Sequence, residues 1–154
     1  MDYGSSYAWI PPVAFHFRVE FQWDDNSRAS ASFSEVDGLC QELLFEERKM
    51  DSDNTPGYPK GVKIQDITLK RSLEPIDEVI SKWVQDAFNV FYSGWIAPCT
   101  LIVSLLDESG TATAAWEFQR VIPFRWKLGT LSASESKLSV ESLTLRFSRL
   151  TRTK

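Results

Sequence analysis

Few residues in this 154-residue chain have side chains suited to chemistry. His16 is the single histidine, and Cys40 and Cys99 are the two cysteines. One histidine cannot build a multi-histidine metal site, and cysteines about sixty residues apart fit no zinc-ligand spacing. No Walker loop, GxGxxG or GxSxG motif occurs, so the phosphate-cradling and nucleophile-elbow chemistries lack their frames. The carboxylate pairs Glu46-Glu47 and Asp107-Glu108 fall at strand ends or in turns. They read as solvated charges rather than as the two carboxylates a glycosidase sets across a cleft. The expectation is a protein that is not an enzyme and has no catalytic residues, no metal ligands and no cofactor.

The elements that would carry these residues are mostly strands. From Val13 to Trp23 the odd positions are Val, Phe, Phe, Val, Phe and Trp, and the even ones include His16, Arg18, Glu20 and Gln22. That is period two, with one buried face and one polar face that takes His16. Asp24 to Ser27 is a turn, and Ala29 to Val36 is a weaker returning strand. After Asp37-Gly38 the alternation resumes from Leu39 to Glu47. A polar excursion of fourteen residues follows, Arg48 to Gly61, and loops this long are usually functional.

Val62 to Leu73 reads as one strand whose parity slips near Gln65-Asp66, as at a β-bulge. Leu138 to Leu150 shows a similar slip between Val140 and Leu143. Two bulged strands point to a sheet bent toward closure. Between these strands, Ile76, Val79, Ile80, Trp83, Val84, Ala87, Phe88 and Phe91 repeat at helical spacing. Asp77 and Glu78 stand at the favourable end of the helix dipole, and Ser93-Gly94 ends the helix. Further strands are expected at Cys99 to Leu106 and Ala114 to Trp126. The fold class is therefore mainly β: an antiparallel β-barrel, or two packed sheets, with one flanking α-helix and a long extended loop.

Size allows a single domain over residues 11–150, preceded by a flexible arm at 1–10 and followed by a tail at 151–154. No apolar run is long enough to span a membrane as a helix, and residues 1–10 lack the basic start and apolar core of a secretory signal. The apolar neighbours of Cys40 and Cys99 favour buried, reduced thiols and folding in a cytoplasm. A net charge of −4 gives no long-range attraction to nucleic acid. The late basic residues Arg125, Lys127, Arg146, Arg149, Arg152 and Lys154 are read as a solvated strand face and tail, not a phosphate-binding strip. Most of the aromatic residues fall on core positions, but Tyr3, Tyr7, Trp9 and Trp95 have no such place and are interface candidates.

Six segments in register resemble the tail tube protein family of contractile phages and phage-tail-like extracellular injection systems. They are Pro11 to Val19, Phe33 to Leu39, Ile67 to Arg71, Ile102 to Glu108, Trp116 to Trp126 and Val140 to Leu145. Ser72 departs from the glycine that family members often carry there. The excursion does not match the usual length, and the N-terminal arm is longer than the shortest members need.

The family is similar in fold to the tube-forming hemolysin-coregulated protein of type VI secretion. The resemblance implies hexameric rings in which neighbouring copies join their sheets around a channel. Rings then stack into a tube inside a contractile sheath, above a baseplate, with the lumen open to cargo. Assembly would take place in the producing bacterium's cytoplasm, and the protein would end in an injection particle or virion.

On this reading the excursion reaches the adjacent ring, and Glu47, Arg48, Lys49, Asp51, Tyr58 and Lys60 are the inter-ring contact candidates. The Pro11 to Phe17 opening looks like that of a variant subunit, the ring that initiates the tube on the baseplate. A single-ring adaptor of the baseplate or tail terminus is a related reading. The reading from a different class is a monomeric β-barrel module that binds a small ligand or carbohydrate.

Overall fold

A computed structural model describes residues 16–46, 57–134 and 138–154, apart from the side chains of His16 and Ser93. In chain order the elements are β1 (His16–Trp23), β2 (Arg28–Phe33), β3 (Glu35–Asp37), β4 (Gln41–Phe45), β5 (Pro59–Ile64), β6 (Ile67–Ser72), α1 (Val79–Phe88), α2 (Val90–Ser93), β7 (Cys99–Leu106), β8 (Ala112–Leu128), β9 (Val140–Arg146) and β10 (Arg149–Arg152). Hydrogen bonds join the strands in the order β2-β1-β7-β8-β9-β6-β3, every pair antiparallel, with β10 added to β8. The two ends of this path are neighbours in sequence, since Ser34 alone separates β2 from β3. Ser34 donates its backbone N–H to the Lys70 carbonyl, so the chain switches there from the β1 side to the β6 side. The fold is thus mainly β and antiparallel, two sheets wrapped on one core, with the ladder itself left open.

Alternation explains which side chains fill that core. Val19 and Phe21 of β1, Leu101 and Val103 of β7, Phe118 of β8, Leu69 of β6 and Leu143 and Leu145 of β9 are fully or almost fully buried. Helix α1 closes one side with Ile80, Trp83, Val84 and Ala87. Burying each of the three larger ones contributes about 2 kcal/mol. Trp83 meets Phe21 and Trp23 edge-on at 5.7 and 5.8 Å and donates its indole N–H to the Ala97 carbonyl at 2.7 Å.

Several elements differ from the pattern expected. The parity slip at Gln65-Asp66 is not a bulge: it is the junction between β5 and β6, which lie in different sheets. Leu138 and Val140 point outward, so β9 needs no bulge to bury Leu143 and Leu145. Bulges occur instead in the β4–β5 hairpin and on the long strand β8. Gln119 and Arg120 together oppose Thr100, with Arg120 at φ 56°, and Phe124 is the extra residue between Pro123 and Arg125. The helix is shorter than its apolar repeat: Glu78 is its N-cap rather than part of the first turn, and Asn89 breaks it before α2. Gly94, at φ 80°, ends α2 in the left-handed conformation that glycine adopts without cost. The last residues, expected as a tail, stay on the sheet, where Thr153 and Lys154 both donate to the Ala115 carbonyl.

Candidate functional site

Three features are left once the core is accounted for. The first is the hairpin of β4 and β5, a two-stranded sheet with no third strand among the described residues. Glu46 and Tyr58 extend its ladder, and Gln41 ties its base to the body by donating to the Leu150 carbonyl at 2.9 Å. Leu43 is 55% exposed and Val62 54%, and Leu44, Phe45 and Tyr58 are exposed as well. A lone hairpin is marginal in water, and one this apolar is suited to being covered. The expected polar loop is therefore shorter than its fourteen residues, because Pro59, Lys60 and Gly61 belong to β5. Tyr58 and Lys60 sit at the far end of this hairpin; Glu47, Arg48, Lys49 and Asp51 lie outside the described residues.

The second feature is the outward side of the helical segment. Ile76, Val79, Phe88 and Phe91 belong to the apolar helical repeat, yet all four are exposed, Phe91 by 97%. The repeat is wider than one buried face: α1 seats Ile80, Trp83, Val84 and Ala87, and the rest of the stripe faces out. Tyr92 and Trp95 are exposed as well. Tyr3, Tyr7 and Trp9 lie outside the described residues.

The third is a buried ionic cluster. Arg71 and Glu141 face each other across the β6–β9 ladder and are 5% and 4% exposed. Arg71 Nε stands 3.5 Å from Glu141 Oε1, an ion pair without hydrogen-bond geometry. Its Nη2 donates to Glu78 Oε2 at 2.8 Å, and its guanidinium lies 5.2 Å from the Phe33 ring centroid. Glu141 also accepts from the Glu74 backbone N–H at 3.1 Å, and Glu78 accepts from the Ser81 backbone N–H and hydroxyl, both at 2.9 Å. Burial works to raise the Glu78 pKa; the hydrogen bonds from Arg71 and Ser81 outweigh it and hold the carboxyl below its ordinary value. The signal was there in the parity, since Arg71 continues the buried set Ile67, Leu69 and Glu141 precedes Leu143, Leu145. This cluster latches the start of α1 to the sheet and offers no open coordination or proton-transfer geometry.

The remaining charged groups are structural in the same sense. Asp107 shapes the β7–β8 turn by accepting from Ser109 and Thr111 N–H at 2.9 Å, and the Ser109 hydroxyl bond is the main cause of its lowered pKa. Arg146 lies 3.8 Å above Phe124 and 3.3 Å from Asp66, and Arg152 lies over Trp116. Cys99 is buried, which pushes its thiol up to about 12, but Cys40 is exposed, contrary to the expectation for both thiols. It lies in the short link from β3 to the uncovered hairpin. A cleft of about 380 Å³ between α1 and Trp126 has Ser81 and Glu141 among its lining residues, and both already serve the ionic cluster. Among the described residues no group of three His, Cys, Asp or Glu is placed to hold a metal. No described helix is long and apolar enough to cross a membrane.

A two-sheet body with an exposed apolar hairpin and an exposed helical face fits a structural subunit. The chain belongs to the T4-like virus tail tube protein gp19 family, whose model matches residues 13–151, and it is a tail tube protein. Solved structures share the fold. A chain in the anti-feeding prophage baseplate aligns with a TM-score of 0.76 at 18% identity, over 94% of this chain and 96% of its own. One in the sheath–tube complex of an extracellular contractile injection system, PVC, gives 0.71 at 19%, over 95% and 93%. The Hcp1 protein of E. coli gives 0.61 at 8%, over 91% and 92%. No curated protein matches the sequence.

Proposed function

We propose that this chain forms hexameric rings that stack into the inner tube of a contractile injection particle, where its work is mechanical and involves no chemistry. The observation that carries this reading is the β4–β5 hairpin, an isolated two-stranded sheet whose apolar side chains lie in solvent until another copy covers them. The segment linking β4 to β5, which contains Glu47, Arg48, Lys49 and Asp51, is proposed together with Tyr58 and Lys60 as the axial contact to the next ring. The exposed aromatics Phe91, Tyr92 and Trp95 supply a second apolar surface of the kind obligate interfaces bury. Tyr3, Tyr7 and Trp9 are proposed as further interface residues. Sheath and baseplate are the proposed partners, in keeping with the assemblies in which similar chains have been solved. Subunits fold in the producing cytoplasm and end in the particle, whose lumen takes the cargo.

Negative-stain electron microscopy of the purified protein at micromolar concentration, with mass photometry, tests this directly. Six-fold rings or stacked tubes are expected, and lone rings in place of tubes would assign the chain to the tube-initiating position. A protein that stays monomeric, alone and with added baseplate, rejects the reading. The double reversal Arg48→Glu/Lys49→Glu should leave the monomer folded and abolish stacking; unchanged tubes would remove the linking segment from the axial contact.

A further inference from the structure

We infer that the hollow beside the first β8 bulge is a docking site for a peptide segment of a partner protein, one in which an acidic residue adjoins an apolar one. The hollow measures about 370 Å³ and is built from separate stretches of chain. Pro98 comes from the link before β7, Arg120 and Ile122 from β8, and Arg146, Phe147 and Ser148 from the end of β9 and the link to β10. Among the described residues no carboxylate lines it. It shares no residue with the β4–β5 hairpin or the exposed helical face, so the inference stands apart from the tube reading.

The bulge is what brings Arg120 there. Phe118 and Val121 are both fully buried, so strict alternation cannot hold between them. The extra residue leaves Gln119 and Arg120 exposed in succession and turns Arg120 away from the core. At φ 56° its backbone lies in the left-handed region, which an arginine enters at a cost that glycine or asparagine largely avoids. Nothing in the fold offsets that cost through the side chain: among the described residues the Arg120 guanidinium has no ion pair and no hydrogen-bond partner. Backbone strain of this kind clusters at positions that bind.

Arg146 reaches the hollow from β9, where it stands opposite Ile122. It lies 3.8 Å from the Phe124 ring centroid and its Nε donates to Asp66 at 3.3 Å, with no described partner on either Nη. Two guanidiniums without a lining anion suit a carboxylate, which arginine's fork takes in paired, charge-assisted hydrogen bonds. Ser148 does not compete, since its hydroxyl donates to the Gln119 carbonyl at 3.1 Å. The floor sets the rest of the specificity. Pro98, Ile122 and Phe147 are half-buried, and Phe147 stands edge-on to the core residue Phe118 at 4.8 Å. A preformed apolar floor beside two donors takes an apolar side chain next to the carboxylate. A nucleic acid strand would need a longer run of cations, on a chain whose net charge is −4.

The probe is a short peptide, Gly-Leu-Glu-Phe-Glu-Leu-Gly, titrated into the labelled full chain at submicromolar concentration and followed by microscale thermophoresis. Wild type should bind it. Arg120→Gln and Arg146→Gln should each weaken binding about tenfold, as should glutamine in place of both peptide glutamates. Arg152→Gln, which removes a cation over Trp116 and outside the hollow, should bind within about twofold of wild type. Arg120→Asn separates binding from folding: it should melt no lower than wild type yet bind about tenfold more weakly.

A wild-type chain that does not bind at millimolar peptide overturns the site, and so does equal binding by the arginine variants or by the glutamine peptide. An Arg120→Asn variant that melts several degrees lower shows Arg120 serving the fold, and overturns it as well. Tighter binding of a thymidine oligonucleotide, with the same dependence on both arginines, would assign the hollow to phosphates and overturn the peptide. None of these results bears on ring formation, which electron microscopy reads separately.

Discussion

Replacing Arg71 by methionine should cost this domain about 3–5 kcal/mol, the usual result of removing one partner from a buried ion pair. The structure sets that magnitude. Glu141 is 4% exposed and would keep only the Glu74 N–H as a hydrogen-bond donor, leaving a carboxylate out of water without its countercharge. Glu78 would keep Ser81, so the helix would hold its cap but lose its tie to β6. For a domain of this size the melting temperature should fall by about 10 °C.

Urea unfolding followed by tryptophan fluorescence reads the same loss as a midpoint shift of about 2 M, taking a slope near 2 kcal/mol/M. Dilute protein keeps self-association from masking the shift. The double variant Arg71→Met/Glu141→Leu should recover most of the loss, because both desolvation penalties leave together. A single-variant shift under about 0.5 M, or a double variant no better than the single, would refute the latch as described.

Three further outcomes follow from the same geometry. The Glu78 carboxyl is held below its ordinary 4.5, and a depressed folded pKa gives stability that is present above the unfolded value and lost as the pH falls through the folded one. The urea midpoint should therefore drop below about pH 4.5, and Glu78→Gln should flatten that decline. Iodoacetamide should label Cys40 in the native protein and reach Cys99 only on unfolding, because Cys99 is buried and its thiol pushed up to about 12. Gly38→Ala should destabilise by about 2 kcal/mol in thermal melts, since Gly38 sits at φ 103° and an added Cβ would run into the Asp66 carbonyl oxygen.

Much of this protein was legible in its residues. Val19 and Phe21 had to face the core and Arg18 and Glu20 the solvent, because side chains alternate along any strand. Cys99 to Leu106 was read to the residue, its apolar run fitting a strand at the centre of a sheet. The scarcity of histidine, cysteine and motif glycines argued against catalysis, and the six segments in register pointed to the family. Arg71 and Glu141 were also within reach, since both stand on the buried parity of their strands.

What periodicity could not separate was the core from an exposed apolar surface. Ile76, Val79 and Phe91 share a helical repeat with Ile80 and Trp83, yet only the folded chain shows which of them meets the sheet. The slip at Gln65-Asp66 has the same local pattern whether it is a bulge or a passage between sheets, and pairing with β4 or with β9 decides. Arg120 and Arg146 are distant in sequence, and only the pairing of β8 with β9 brings them to one hollow. Local sequence dictates the conformation and polarity of each segment; where a face ends up depends on contacts between segments distant along the chain, and those form only in the tertiary structure.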